Sequence, residues 1–87
     1  MKEETLLEFP CEFPIKAMGR TDSNFPQVVV ALVGRHAPDL TEERVRVQAS
    51  RHGRFQSVTV TVRATSRAQL DAIYQELTDD ERVVLAL

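Results

Sequence analysis

The sequence predicts an α+β domain of four strands and two helices in the order β-α-β-β-α-β. Three observations carry this reading. Residues 44–64 alternate apolar and polar side chains on either side of a glycine-containing turn, the period of a half-buried β-hairpin. Residues 25–33 and 68–77 instead space their apolar positions by three and four, as a helix with one buried stripe does. A chain of 87 residues has room for one modest core and therefore one domain, 1–87.

The elements follow in order. Residues 1–8 are acidic, then apolar at Leu6 and Leu7, and are expected to form a flexible N-terminal segment. Phe9-Pro10 and Phe13-Pro14 bracket an extended piece, because proline biases its predecessor away from helix. The first strand is expected over Phe13–Met18, with Phe13, Ile15 and Ala17 facing inward and Gly19 ending it. The loop Gly19-Arg20-Thr21-Asp22-Ser23-Asn24 supplies three candidate N-caps, and Pro26 suits a first helical turn. Phe25, Val28, Val29, Leu32 and Val33 form the stripe of the first helix, with Ala37 a weak continuation; Arg35 and His36 complement its C-terminus and Pro38 stops it. The second strand turns Val45, Val47 and Ala49 inward and Arg44, Arg46 and Gln48 outward. Gly53 can take the positive φ of the hairpin turn. The third strand turns Val58, Val60, Val62 and Ala64 inward and Ser57, Thr59, Thr61 and Arg63 outward. Ser66 and Gln69 form a capping-box pattern ahead of the second helix, whose apolar face is Ala68, Leu70, Ile73, Tyr74 and Leu77. Arg82–Leu87 reads as a last strand, with Val83, Leu85 and Leu87 on one face.

This order is that of a ferredoxin-like sandwich. Right-handed crossovers place both helices on one face of a four-stranded antiparallel sheet of order 4-1-3-2. The second strand is then an edge, which its outward arginines would guard against aggregation, and the other sheet face is open.

The formal net charge is only −2, which does not suggest a general polyanion binder, but charge is locally segregated. The stretch from Arg44 to Arg67 holds six arginines and no acid. Arg44, Arg46 and Arg63 should share the open sheet face, with Arg51 and Arg54 flanking the turn. The face reads either as a solvated surface or as a dock for an acidic partner or small anion, since arginine suits bidentate carboxylate and phosphate contacts. RNA-recognition domains share this element order, and His52-Gly53-Arg54-Phe55 echoes their third strand. The stacking aromatics that motif needs are replaced here by Ser57, Val58 and Val60, which argues against RNA. Cys11, His36 and His52 lie in separate elements, so no nucleophile–base pair or metal site is expected, and with it no enzyme and no cofactor. A single cysteine excludes an internal disulfide and fits a reducing cytoplasm. No apolar run is long enough to span a bilayer.

The whole chain resembles the YbeD-like family of small bacterial proteins of unknown function. Leu6-Leu7-Glu8-Phe9-Pro10, Lys16-Ala17-Met18-Gly19, Arg35-His36-Ala37-Pro38, Ser57-Val58-Thr59-Val60, Ala64-Thr65 and Tyr74-Gln75-Glu76-Leu77 carry the resemblance from end to end. It implies a ferredoxin-like fold (an alpha-beta plait) close to ACT regulatory domains. It also implies a cytoplasmic accessory protein without assigned activity, whose gene is often near lipoate-biosynthesis genes, and hence a link to lipoate or amino-acid metabolism. ACT domains bind small ligands at the turn after their first strand. The equivalent positions here are Gly19, Asp22, Ser23 and Asn24, although the Pro-Gly pair typical of those turns is absent. The expectation is therefore a non-enzymatic regulatory or adaptor module. It would bind a protein partner or small metabolite, its open sheet leaving room for a homodimer.

Overall fold

The computed structural model describes residues 7–21 and 24–87; residues 1–6, most of the expected flexible segment, lie outside them, as do Asp22 and Ser23. The chain forms β1 (Cys11–Arg20), α1 (Phe25–Gly34), a short 3-10 turn (Glu42–Arg44), β2 (Val45–Ala49), β3 (Phe55–Ala64), α2 (Arg67–Asp79) and β4 (Leu85–Ala86). All pairings are antiparallel and the strands lie in the order β2-β3-β1-β4. Counted from the β4 edge, this is 4-1-3-2.

β1 and β3 form the centre. Ten residues of one pair with ten of the other, from Cys11 opposite Ala64 to Arg20 opposite Phe55. Strand alternation then sorts the side chains. Ile15, Ala17, Val58, Val60, Val62 and Ala64 are fully buried beneath Phe25, Val29 and Val33 of α1 and Ile73 and Leu77 of α2. Both helices share this one core, so both cover the same sheet face.

β1 is longer than the sequence suggests. Gly19 does not end the strand but pairs with Gln56 inside it. Its missing side chain is filled by the ring of Phe25: a Cβ built there would stand 2.5 Å from that ring. Pro14 is tolerated within the strand because its nitrogen faces the side where β4, paired only with Ala17 and Met18, does not reach. At the next turn, Asn24 takes the N-cap position of α1 and its carbonyl accepts Val28 N–H at 3.2 Å, while its side chain makes no cap bond. α1 stops at Gly34, and Ala37 reaches the core from the following turn. Ser66 caps α2 by accepting Gln69 N–H at 3.1 Å. The Gln69 side chain accepts Thr65 N–H at 2.6 Å and donates to the carbonyl of His36 at 2.8 Å, which ties the end of α1 to the start of α2.

Two strands differ from the sequence pattern. On β2, Val47 lies on the helix side but is 49% exposed, and Ala49 is exposed as well. The helices sit over β1 and β3 and leave the outer part of this edge uncovered. Arg46 rises from the open face, opposite Thr59 of β3. β4 is reduced to Leu85–Ala86, and Ala86, opposite Ala17, is its inward residue. Val83 still packs on the core, but from a turn in which its N–H bonds the carbonyl of Asp80. That turn breaks the alternation and sends Leu85 and Leu87 outward, 46% and 63% exposed.

Two tests follow from this packing. Gly19→Ala must push the Phe25 ring aside and should cost about 1–3 kcal/mol in urea unfolding. Gly34→Ala, where an added Cβ meets nothing within 4 Å, should be neutral or stabilising by up to about 1 kcal/mol. Equal effects of the two substitutions would contradict the Phe25 contact. The second test concerns the turn into β4. Asp80 accepts hydrogen bonds from the side chain and backbone N–H of Arg82, and these lower its pKa from 3.8 to about 2. A carboxyl depressed on folding stabilises the fold above its ordinary pKa, and that contribution disappears as pH falls through the folded value. Asp80→Asn should therefore lower the urea midpoint at neutral pH, and the gap to wild type should close as pH approaches about 2. A gap independent of pH would exclude the ionised carboxylate as its source.

Candidate functional site

The open face of the sheet can be read row by row from the register. Lys16, Thr59 and Arg46 lie side by side on β1, β3 and β2. Leu87 extends that row, exchanging backbone hydrogen bonds with Lys16 at 2.7 and 3.0 Å. The next row is Leu85, Met18, Ser57 and Gln48. On the other side come Pro14 with Thr61, and then Glu12 with Arg63. Adjacent strands are separated by about 4.8 Å, so Lys16 and Arg46 stand about 10 Å apart at their Cα atoms across Thr59.

The expected arginine cluster is only partly assembled there. Arg44 belongs to the 3-10 turn rather than to β2; its guanidinium forms an ion pair with Glu12 and reaches the carbonyl of Thr61 at 3.5 Å. Glu12 comes from β1, outside the acid-free stretch, and its ion pair pushes the Arg44 pKa further up. Arg63 is exposed at the far end of β3, directly opposite Glu12. Among the described residues Arg46 makes no ion pair, and its neighbours in the row are a hydroxyl and the ammonium of Lys16. Arg44, Arg46, Glu12, Glu43, Gln48, Thr59 and Thr61 line one shallow concavity of about 690 Å³. Lys16, Met18, Gln48 and Ser57 line a smaller one beside it.

Arg51 and Arg54 sit apart, in the turn between β2 and β3, where Gly53 takes φ +74°. That turn touches the segment after β1. Thr21 Oγ1 donates to the carbonyl of Gly53 at 2.6 Å, and Thr21 N–H donates to the carbonyl of Arg54 at 3.1 Å. The fold thus brings Arg51 and Arg54 to the same end as Gly19 and Asn24, and away from Arg63. Arg20 stacks its guanidinium over the Phe55 ring, 5.8 Å from the centroid. Gly19 leaves no space for a ligand, since Phe25 occupies it.

The histidines are also separated. His36 Nε2 lies 3.0 Å from one oxygen of Glu76, while Arg35 donates to the other at 2.9 Å. The His36 contact first, with Arg35, holds the Glu76 carboxyl below the usual range. His52 is exposed in the hairpin turn and Cys11 is half-buried at the first residue of β1. Among the described residues no group of three His, Cys, Asp or Glu could hold a metal, and no helix is long and apolar enough to cross a membrane.

The structure adds residues to the site that the sequence pattern missed. Lys16 enters through the register of β1 against β3. Leu85 and Leu87 were expected on one face with Val83; the turn after Asp80 separates them from it and places them beside Met18 and Lys16 on the open face. The local signal that could have found them is Asp80-Glu81-Arg82 itself, a side chain-to-backbone turn two residues long, which resets strand phase.

Comparison with known proteins agrees with this architecture. A UPF0250 protein of Nitrosomonas europaea is 46% identical over 87 residues, covering 100% of both chains. One from Chromobacterium violaceum is 46% identical over 86 residues, 99% of this chain and 97% of the relative. One from Neisseria gonorrhoeae is 40% identical over 83 residues, 95% and 91% of the two chains. The solution structure of protein HP0495 from H. pylori superposes with a TM-score of 0.74 at 14% identity, over 98% of this chain and 89% of that one, and shares the fold. The YbeD-like resemblance fits these relatives. Residues 4–87 match the family model described as "Protein of unknown function (DUF493)", and the chain belongs to that family.

Proposed function

We propose that this protein is a non-enzymatic adaptor or regulatory module that docks an acidic, partly apolar segment of a partner protein on its open sheet face. The observation that carries this reading is the row Leu87–Lys16–Thr59–Arg46, in which two cations flank a hydroxyl with an apolar strip alongside. A carboxylate placed over Thr59 lies within reach of both cations, and Arg46 can grip it with two N–H groups. Met18, Leu85 and Leu87 offer an apolar seat one strand away. Arg44 plays a different part: held by Glu12, it borders the site. The half-buried free thiol of Cys11 supports a cytoplasmic setting. A link to lipoate or amino-acid metabolism rests on the family resemblance.

Capture from native cytosol tests this reading. Wild-type protein should retain a discrete partner whose binding weakens with salt. Lys16→Glu combined with Arg46→Glu should reduce that capture to about a tenth or less, while Arg51→Glu combined with Arg54→Glu should leave it nearly unchanged. Equal capture by the Lys16/Arg46 variant would exclude the open face.

A second reading, an ACT-like ligand sensor, draws on one observation. Thr21 joins the segment after β1 to the β2–β3 turn, so that Asn24 and Arg54 belong to one end of the sheet. A metabolite bound there at about 100 times its Kd should raise stability by about 2.7 kcal/mol. Thermal shift across amino acids and lipoate-related acids reads this out, and a flat response would exclude the sensor.

A further inference from the structure

The outer edge of β2 has a backbone parity that can be derived. Lys16 spends its N–H and C=O on Leu87 and therefore turns away from β3. In an antiparallel pair whose members turn away from each other, the opposite residue also faces outward, so Thr59 directs its backbone toward β2 and Arg46. Ser50 N–H bonding the carbonyl of Phe55 at 2.8 Å has the same parity. Arg46 and Gln48 thus use their backbone groups on β3. Val45, Val47 and Ala49 present theirs to the open edge, and among the described residues no strand pairs with it. The side chains of those three residues lie on the helix side, where Val47 is 49% and Val30 of α1 is 36% exposed. Between α1 and this edge runs a groove of about 500 Å³, lined by Pro26, Val30, Leu40 and Val45 among others.

We propose that this edge pairs with the same edge of a second copy of the chain, antiparallel about a two-fold axis through Val47. The argument for a second copy is self-complementarity. In that register Val47 meets Val47 and Val45 meets Ala49, so apolar residues cover apolar ones. Arg46 lies opposite Gln48. The acidic residues Glu42 and Glu43 precede β2, and Arg51 and His52 follow it. Antiparallel pairing brings the acidic end of each copy to the basic end of the other, twice, as an isologous interface requires. A shift of the axis by one residue to Arg46 would set Arg46 against Arg46, and like charges directly opposite are destabilising. The two-fold axis also keeps all helices on one side. Both Val30 side chains then flank the seam, and the two open faces join into one surface of eight strands. The five-residue strand is short, so the dimer is expected to be reversible and concentration-dependent rather than obligate.

Sedimentation equilibrium of the full chain over a concentration series tests this inference. A monomer–dimer equilibrium that weakens with salt is expected. Val47→Lys buries a charge at the axis and should weaken dimerisation by about 100-fold or more. Its circular dichroism should match wild type, because Val47 is exposed in the single chain. Glu43→Arg and Arg51→Glu should each weaken dimerisation by about tenfold or more, and the double variant should recover most of the loss. A monomer at every concentration up to about 1 mM, where even weak pairs associate, overturns the proposal. So does a dimer indifferent to Val47→Lys, and a double variant no better than the single ones overturns this register.

Discussion

The ladder between β1 and β3 decides where every other group in the structure can be. It runs through ten residue pairs, and at its centre Ile15 meets Val60 and Ala17 meets Val58. A slip of one residue would turn Lys16 and Thr59 into the core and Ile15 and Val60 to solvent. The buried valines of β3 make that slip costly, so the register is strongly specified. The same pairing fixes the opposite face, where Lys16, Thr59 and Arg46 must fall in line. This row is thus a consequence of core packing: its geometry can be lost through the core without any change to the row itself.

The helix layer depends on the ladder at one close contact. Gly19 lets Phe25 lie flat against β1 at the point where the chain leaves the sheet. That seats the first turn of α1 and aims its buried stripe at the sheet. At the opposite end, Glu76 of α2 holds both Arg35 and His36, and Gln69 holds the backbone of His36. The depressed pKa of Glu76 means that this tie stabilises the fold at pH values above the ordinary glutamate range and weakens in acid. With both ends of α1 fastened, the helix layer is closed over the core. Residues of chemical interest there, His36 and Glu76, are engaged in holding two helices together.

Much of the fold was legible in the sequence because its signals are local. Period two in Val58-Thr59-Val60-Thr61-Val62 gave β3 its faces, spacing by three and four gave both helices, and Ser66 with Gln69 marked the start of α2. Gly53 supplied the turn. What the sequence did not show depended on distance. Nothing local says that α1 stops short of β2, so Val47 read as core although its position on an outer strand leaves it exposed. Nothing local says that Glu12 will cross to Arg44, since the two are separated by most of the fold's first half. The alternation of Val83, Leu85 and Leu87 was real, but Asp80 binding Arg82 interrupts it, and only Val83 reaches the core. The arginine stretch was legible as composition; which of its arginines meets an acid was a question of how β1 lies against the turn before β2.

These placements limit where recognition can occur. Among the described residues, core side chains fill the space between α1 and α2, and Glu76 ties the two helices through Arg35 and His36. Gly19, near the end of β1, is packed by the Phe25 ring. The open face and the β2 edge are coupled by a single residue. Arg46 contributes its side chain to the face and, through its backbone bonds to Thr59, sets which groups β2 turns outward. Its neighbours Val45 and Val47 then belong to the edge by necessity, because alternate residues of a strand direct their backbone to opposite sides. Face and edge are therefore built from interleaved residues of one short strand. A charge reversal at Arg46 acts on the face, a substitution at Val47 acts on the edge, and the two can be separated although the residues are adjacent.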